Sequence, residues 1–177
     1  RATSNDLTKI QGANLINLAE NYTLKYYYYH LLAWPQLTYV AENIDGDIVG
    51  YAMGKMDEDN KAPTGTITSI SVLRSYRRMG IATKLLTAVE NSMIECFAAD
   101  SVELHVRRSN EPALHLYKKT LGYKDHSLEK GYYANGEDAF VLKHYLTCKN
   151  LLEQTNSSTI LDDWKAKHPV PEIATSN

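Results

Sequence analysis

Two periods run through the apolar positions of this chain. Leu7, Ile10, Leu15 and Leu18, and later Ile81, Leu85, Leu86, Val89, Met93 and Phe97, recur at the spacing that gathers side chains on one face of a helix. Between them, residues 66–73 (TITSISVL) alternate with a period of two and are rich in β-branched residues, which suits a strand. Punctuation sets the limits. Thr3-Ser4-Asn5 offers caps to the first helix, and a second, over Lys25 to Ala33, stops at Trp34-Pro35 because proline restricts its predecessor and lacks an amide hydrogen. Asp45-Gly46 parts strands predicted at Thr38 to Asn43 and Ile48 to Met56, glycine accepting the positive φ of a tight hairpin. The acidic segment Asp57 to Gly65 is a loop, and Ser101 to Val106 is a further strand. Ser109-Asn110 caps a helix with Pro112 in its first turn and Gly122 beyond its end. Tyr123 to Leu128 and Ala139 to Leu146 close the pattern around Asn135-Gly136.

The resulting order, ααβββαβαββ, predicts an α/β (α+β) domain with a mixed, largely antiparallel sheet over residues 1–146. From Thr147 the chain turns rich in Ser, Thr, Asn and Pro, and residues 147–177 are expected to be a partly disordered or docking tail.

At 177 residues and 44% hydrophobic, the chain suits one core of ordinary size. A formal charge of -2 argues against a protein that coats nucleic acid or an anionic membrane, so a basic site must be local. Arg74, Arg77, Arg78, Arg107, Arg108, Lys118 and Lys119 form such a group. Cys96 and Cys148 lack metal-ligand spacing and read as reduced thiols of a cytosolic protein, with no metal expected. No apolar run has bilayer-spanning length and no signal-peptide pattern opens the chain, which is expected to lack residues that precede Arg1.

Candidate chemistry starts at Arg77-Arg78-Met79-Gly80-Ile81-Ala82, between a strand and a helix. Small residues at 80 and 82 let an anion approach backbone amides, the helix N-terminus adds a dipole, and the arginines add charge. The segment lacks the glycine pattern of a dinucleotide fold and the Gly-Lys-Ser/Thr of a P-loop. By itself it fits a pyrophosphate site and a plain turn with solvated arginines equally well.

A second segment, Ser109-Asn110-Glu111-Pro112-Ala113-Leu114-His115-Leu116-Tyr117, separates the two. Together the segments resemble the Gcn5-related N-acetyltransferase (GNAT) superfamily. The stretches Leu18-Ala19-Glu20-Asn21-Tyr22, Lys25 to His30, Leu104-His105-Val106-Arg107 and Tyr132-Tyr133-Ala134-Asn135-Gly136-Glu137 narrow the resemblance to the NatA-type catalytic subunits of N-terminal acetyltransferases.

The resemblance implies acetyl-CoA as cofactor. Arg77, Arg78, Met79, Gly80, Ile81, Ala82 and Thr83 would hold its pyrophosphate, Asn110 and Tyr117 would lie along its pantetheine arm, and Ile70, Ser71, Val72 and Leu73 would present amides to the thioester. It also implies Glu20 and His105 as candidate bases, Tyr117 as a proton donor to the departing thiolate, and Arg107 and Tyr133 as supporting catalytic residues. Leu18, Tyr22 and Tyr133 would shape the peptide site. An α-amine, with a pKa of about 8, is already partly neutral near pH 7, so the demand on a base is modest. Two departures stand out. Gly65-Thr66-Ile67 replaces the usual Gly-His-Ile, which shifts weight to Glu20 and His105, and Ala19 replaces the proline before the glutamate.

As partners the resemblance implies a helical-repeat auxiliary subunit against the first two helices, the ribosome and nascent chains beginning with Ser, Ala, Thr, Gly, Val or Cys. Location is expected in the cytoplasm, with the nucleus second. Alternatives are a NatB-type or ribosomal-protein acetyltransferase, and a non-catalytic anion-binding module.

Overall fold

A computed structural model describes residues 1–57 and 62–146. The predicted tail, 147–177, and part of the acidic loop lie outside the described residues. A 3-10 turn (Ser4–Asp6) leads into α1 (Leu7–Asn17), followed by α2 (Leu24–Ala33), β1 (Thr38–Glu42), β2 (Ile48–Asp57) and β3 (Thr64–Val72). Then come α3 (Ile81–Phe97), β4 (Ser101–Arg107), α4 (Glu111–His115), a π-helical turn (Leu116–Thr120), β5 (Lys124–Glu129) and β6 (Ala139–Tyr145). The order is the one the periodicity predicts.

The strands form one sheet in the order β1-β2-β3-β4-β6-β5. Only β3 and β4 are parallel, and they pair for just four positions, Thr64↔Ser101 to Ile67↔Leu104. Beyond that β3 stays with β2, bulging at Thr68 opposite the Met53–Gly54 step, while β4 stays with β6. A bulge adds local twist, so β3 swings away with β2 and the sheet opens in its middle.

Helices pack on both faces of the sheet at β2 and β3, whereas every residue of β5 is exposed. α3 lays Leu85, Leu86, Val89 and Met93 on one face, and Met93 seats where two glycines adjoin across β2 and β3. A Cβ on Gly54 would stand 2.6 Å from Met93 Cε, and one on Gly65 2.9 Å from the same atom. These glycines are set by close approach. On the other face α1 and α2 contribute Leu7, Ile10, Ala13 and Tyr27 to a second cluster with Ile48, Tyr51 and Met53.

Two expectations change here. Leu15 does not join the inward face of α1: that face is Leu7, Ile10, Ala13 and Asn14, which leaves Leu15 58% and Ile16 77% exposed. Leu18 has already left the helix in an extended conformation. The tyrosine run of α2 divides by face, with Tyr27 and His30 buried and Tyr28, Tyr29 and Leu32 exposed. Cys96 is a free, exposed thiol, and Cys148 lies outside the described residues.

Candidate active site

Where β3 and β4 part, a cleft of about 820 Å³ opens between the strand ends, the α1–α2 loop and the β5–β6 loop. The parting strands expose backbone. Leu73 N–H donates to Val49 O at 2.8 Å, so by the two-residue alternation of a strand Ser71 also faces β2. Ile70 and Val72 therefore turn their amides away from β2, to the side of the opening, and the Val72 carbonyl accepts from Arg77 Nε. Of the four residues expected to present amides there, Ile70 and Val72 keep theirs out of the β2 ladder, and Ile70 lines the cleft. Ser71 and Leu73 are corrected: the same alternation commits theirs to β2.

The strand ends in the predicted turn. Arg78 (φ 64) and Gly80 (φ 76) both adopt left-handed backbone, which brings the chain round to start α3. A Cβ at Gly80 would meet no atom within 4 Å, so conformation and not crowding calls for glycine. Lys84 N–H is the donor to Gly80 O, leaving Ile81, Ala82 and Thr83 at the first turn, where amides lack helical partners. Arg77 is not the free cation the sequence suggested: its Nε donates to Val72 O at 3.0 Å and its Nη2 to Asn17 Oδ1 at 3.1 Å. It fastens the turn to β3 and α1. Arg78 and Met79 are exposed on the turn, where Arg78 makes no ion pair among the described residues.

Asn110, the N-cap of α4, accepts from Ala113 N–H through Oδ1, so its side-chain NH₂ remains for the cleft that it lines. The left-handed turn, the first-turn amides of α3, the edge of β3 and Asn110 together fit the phosphate-and-amide chain of coenzyme A. The π-helical turn after α4 sets Tyr117 against this wall. Burial pushes its phenol far above its ordinary pKa, so it holds its proton.

Arg107, at the end of β4, organises the opposite wall. It pairs through Nη2 with the Glu20 carboxylate, donates through Nη1 to Glu137 Oε2 at 2.7 Å and Asn135 Oδ1 at 3.1 Å, and lies 3.9 Å from the centre of the Tyr133 ring. Glu137 also accepts from the Ser109 hydroxyl at 2.6 Å and the Ser109 amide at 2.9 Å. Those bonds, with Arg107, hold its pKa down to about 2. Burial raises the Tyr133 phenol to about 12, despite Arg107 beside it. His105 stacks on Tyr132 with centroids 4.4 Å apart and sets Nε2 3.3 Å from Glu129 Oε1. Leu18, Glu20 and Tyr22 reach the cleft from the α1–α2 loop. Thr66 donates to Asp57 Oδ2 at 2.9 Å.

The cleft thus gathers Glu20, His105, Arg107, Tyr117, Tyr133, Asn110, Ile70, Leu18 and Tyr22, while Arg77 to Thr83 form a separate station at the head of α3. Sequence reasoning missed Glu137, Asn135, Ser109, Tyr132 and Glu129. The first four sit in the stretches that carry the resemblance, but nothing local tells which partner a loop carboxylate meets across the sheet.

A wall of free strand edge, a helix N-terminus and a buried phenol, facing a carboxylate–guanidinium pair, defines a CoA-dependent acyltransferase. Residues 7–123 match the Acetyltransferase (GNAT) family, and the chain belongs to that family. It is 52% identical over 149 residues, 84% of this chain and 78% of the relative, to the catalytic subunit of the N-terminal acetyltransferase A complex of Arabidopsis thaliana. The corresponding catalytic subunit of Schizosaccharomyces pombe is 47% identical over 158 residues, 88% of this chain and 89% of that protein. Among solved structures, a chain of the NatC complex bound to Gag peptide and CoA superposes with a TM-score of 0.75 at 31% identity, covering 80% of this chain and 91% of that one.

Proposed function

We propose that this chain is an N-terminal acetyltransferase of NatA type, transferring the acetyl group of acetyl-CoA to the α-amine of proteins that begin with Ser, Ala, Thr, Gly, Val or Cys. The observation that carries the reading is the meeting of Glu20, Arg107 and Tyr133 with Tyr117 in one cleft at the parting of β3 and β4.

When bound, acetyl-CoA supplies an activated thioester. Ile81, Ala82 and Thr83 amides with Arg78 hold its pyrophosphate, and Asn110 holds its amide arm. The Ile70 and Val72 amides face the opening and stabilise negative charge on the acyl oxygen. Glu20, with His105 as the alternative base, would take the one proton that the amine loses on attack. Tyr117, fully protonated, hydrogen-bonds the departing sulfur. Arg107 fixes Glu20 and Tyr133 on the peptide side.

The exposed Leu15 and Ile16 on α1, with Tyr28, Tyr29 and Leu32 on α2, form an apolar surface that we assign to the helical-repeat auxiliary subunit. Ribosome association, and location in cytoplasm and nucleus, follow from that reading as part of the proposal.

The test is acetylation of a panel of peptides differing only in the first residue, with isothermal titration of acetyl-CoA alongside. Preference for Ser and Ala over Met-Asp and Met-Glu starts supports the NatA reading. The reverse preference points to a NatB type, and failure to bind acetyl-CoA leaves only an anion-binding module.

A further inference from the structure

α1 presents an unusual inward stripe of amides. Gln11, Asn14 and Asn17 follow one another at spacings of three, so they share a side of the helix. Each has a task at the catalytic end of the molecule. Gln11 Nε2 donates to Tyr22 O at 3.0 Å, Asn14 Nδ2 donates to Glu20 O at 3.2 Å, and Asn17 Oδ1 accepts from Arg77 Nη2. Two rungs thus hold the loop that carries Glu20, and the third holds the turn at the head of α3.

Asn14 is the rung with most at stake, being fully buried. Its Nδ2 also donates to the Tyr51 hydroxyl at 3.0 Å, and that hydroxyl lies 2.7 Å from Ser69 Oγ on β3, at the cleft wall. An amide NH₂ can only donate, so Tyr51 accepts from Asn14, and its hydroxyl shares a second hydrogen bond with Ser69, in which either oxygen can donate. The carbonyl of Glu20 is thereby tied, through two fully buried side chains, to the same strand whose free edge faces the cofactor. Asn14 Oδ1 has no partner among the described residues, although it is buried. Leaving an amide acceptor unsatisfied in a core costs stability, so Asn14 is badly suited to a purely structural post.

Resting on the reading of Glu20 as a proton acceptor, we propose that Asn14 is a positioning residue which sets the Glu20 carboxylate relative to the cofactor strand. Arg107 fixes the carboxylate end of Glu20, and Asn14 fixes its backbone end.

The test compares full-length wild type with Asn14→Leu, Tyr51→Phe, Glu20→Gln and the Asn14→Leu/Glu20→Gln double variant, on a Ser-starting peptide. Asn14→Leu keeps the volume and removes the unsatisfied acceptor, so folding is expected to survive. The expected result is a fall in kcat of about tenfold or more, as befits a small misplacement of a reacting group. KM for acetyl-CoA and the dissociation constant measured by titration are expected to stay near wild type. Tyr51→Phe, which leaves Asn14 bound to Glu20 O but cuts its link to Ser69 on β3, is expected to lower kcat in the same direction by a smaller factor, with acetyl-CoA binding unchanged. In the Glu20→Gln background the Asn14 substitution is expected to cost nothing further. Additive losses in the double variant, or weakened acetyl-CoA binding by Asn14→Leu, would overturn the positioning role while leaving Glu20 as the base. Full activity of Glu20→Gln would overturn both.

Discussion

Tyr117→Phe separates chemistry from architecture more cleanly than any other single substitution in this cleft. The residue is 6% exposed, and its ring packs 5.8 Å from that of Tyr123, contacts that phenylalanine reproduces. Among the described residues its hydroxyl makes no hydrogen bond, yet it lines the cleft. Removing that oxygen therefore takes nothing from the fold, and stability is expected to change by less than about 0.5 kcal/mol. Charge appears on the sulfur as the thioester breaks, and a hydrogen bond to a charged group is worth about 1.5–3 kcal/mol. At about 1.4 kcal/mol per tenfold, kcat should fall roughly 10- to 100-fold. The assay pairs steady-state kinetics on a Ser-starting peptide with urea unfolding. A kcat within about twofold of wild type would refute the assignment. So would a fall in kcat that tracks lost acetyl-CoA binding, because the hydroxyl would then serve affinity.

Other outcomes follow from the same geometry. Arg107→Lys keeps the charge but loses the fork that joins Glu20 to Glu137 and Asn135, and should lower kcat by about tenfold or more with acetyl-CoA binding intact, as kinetics and titration would show. Gly65→Ala drives a methyl group into Met93 and should destabilise by about 1–3 kcal/mol in urea unfolding, since both glycines at that crossing are already filled by the one side chain. Glu137 titrates near 2 when folded against an ordinary 4.5, so it stabilises the fold fully above pH 4.5 and loses that contribution as the pH falls toward 2. Wild type and Glu137→Gln should therefore converge in urea midpoint across that window. Ile16→Asp with Leu32→Asp, both on the exposed apolar surface, should abolish auxiliary-subunit binding in pull-down while leaving acetyl-CoA affinity unchanged.

Order and type of the elements were legible because each has a local cause. The Asp45-Gly46 hairpin needs a residue that tolerates positive φ, and Gly46 has φ 79. The α3 stripe needs only a period of 3.6. Strand ends moved by a residue or two, because the ladder continues for as long as a neighbour supplies partners. The parting of β3 from β4 was not legible, since it accompanies a bulge at Thr68 that only the pairing of β3 with β2 defines. Arg77 shows the same limit. A basic residue beside a glycine turn reads as a ligand for an anion, whereas the fold spends it on Val72 O and Asn17. Glu20 was legible by resemblance alone: a loop carboxylate acquires meaning only when Arg107, 87 residues away in sequence, lies against it.

The central claim is acetyl transfer to an α-amine in the cleft where β3 and β4 part. It is tested most directly by incubating the full chain and its auxiliary subunit with acetyl-CoA and two Ser-starting peptides of one sequence, one with a free N-terminus and one with it blocked, both containing lysine. Mass spectrometry should find a single acetyl group on the α-nitrogen of the free peptide, none on the blocked one, and a sharply reduced yield for Glu20→Gln. Equal acetylation of the blocked peptide on lysine, or no acetylation of either, would contradict the account.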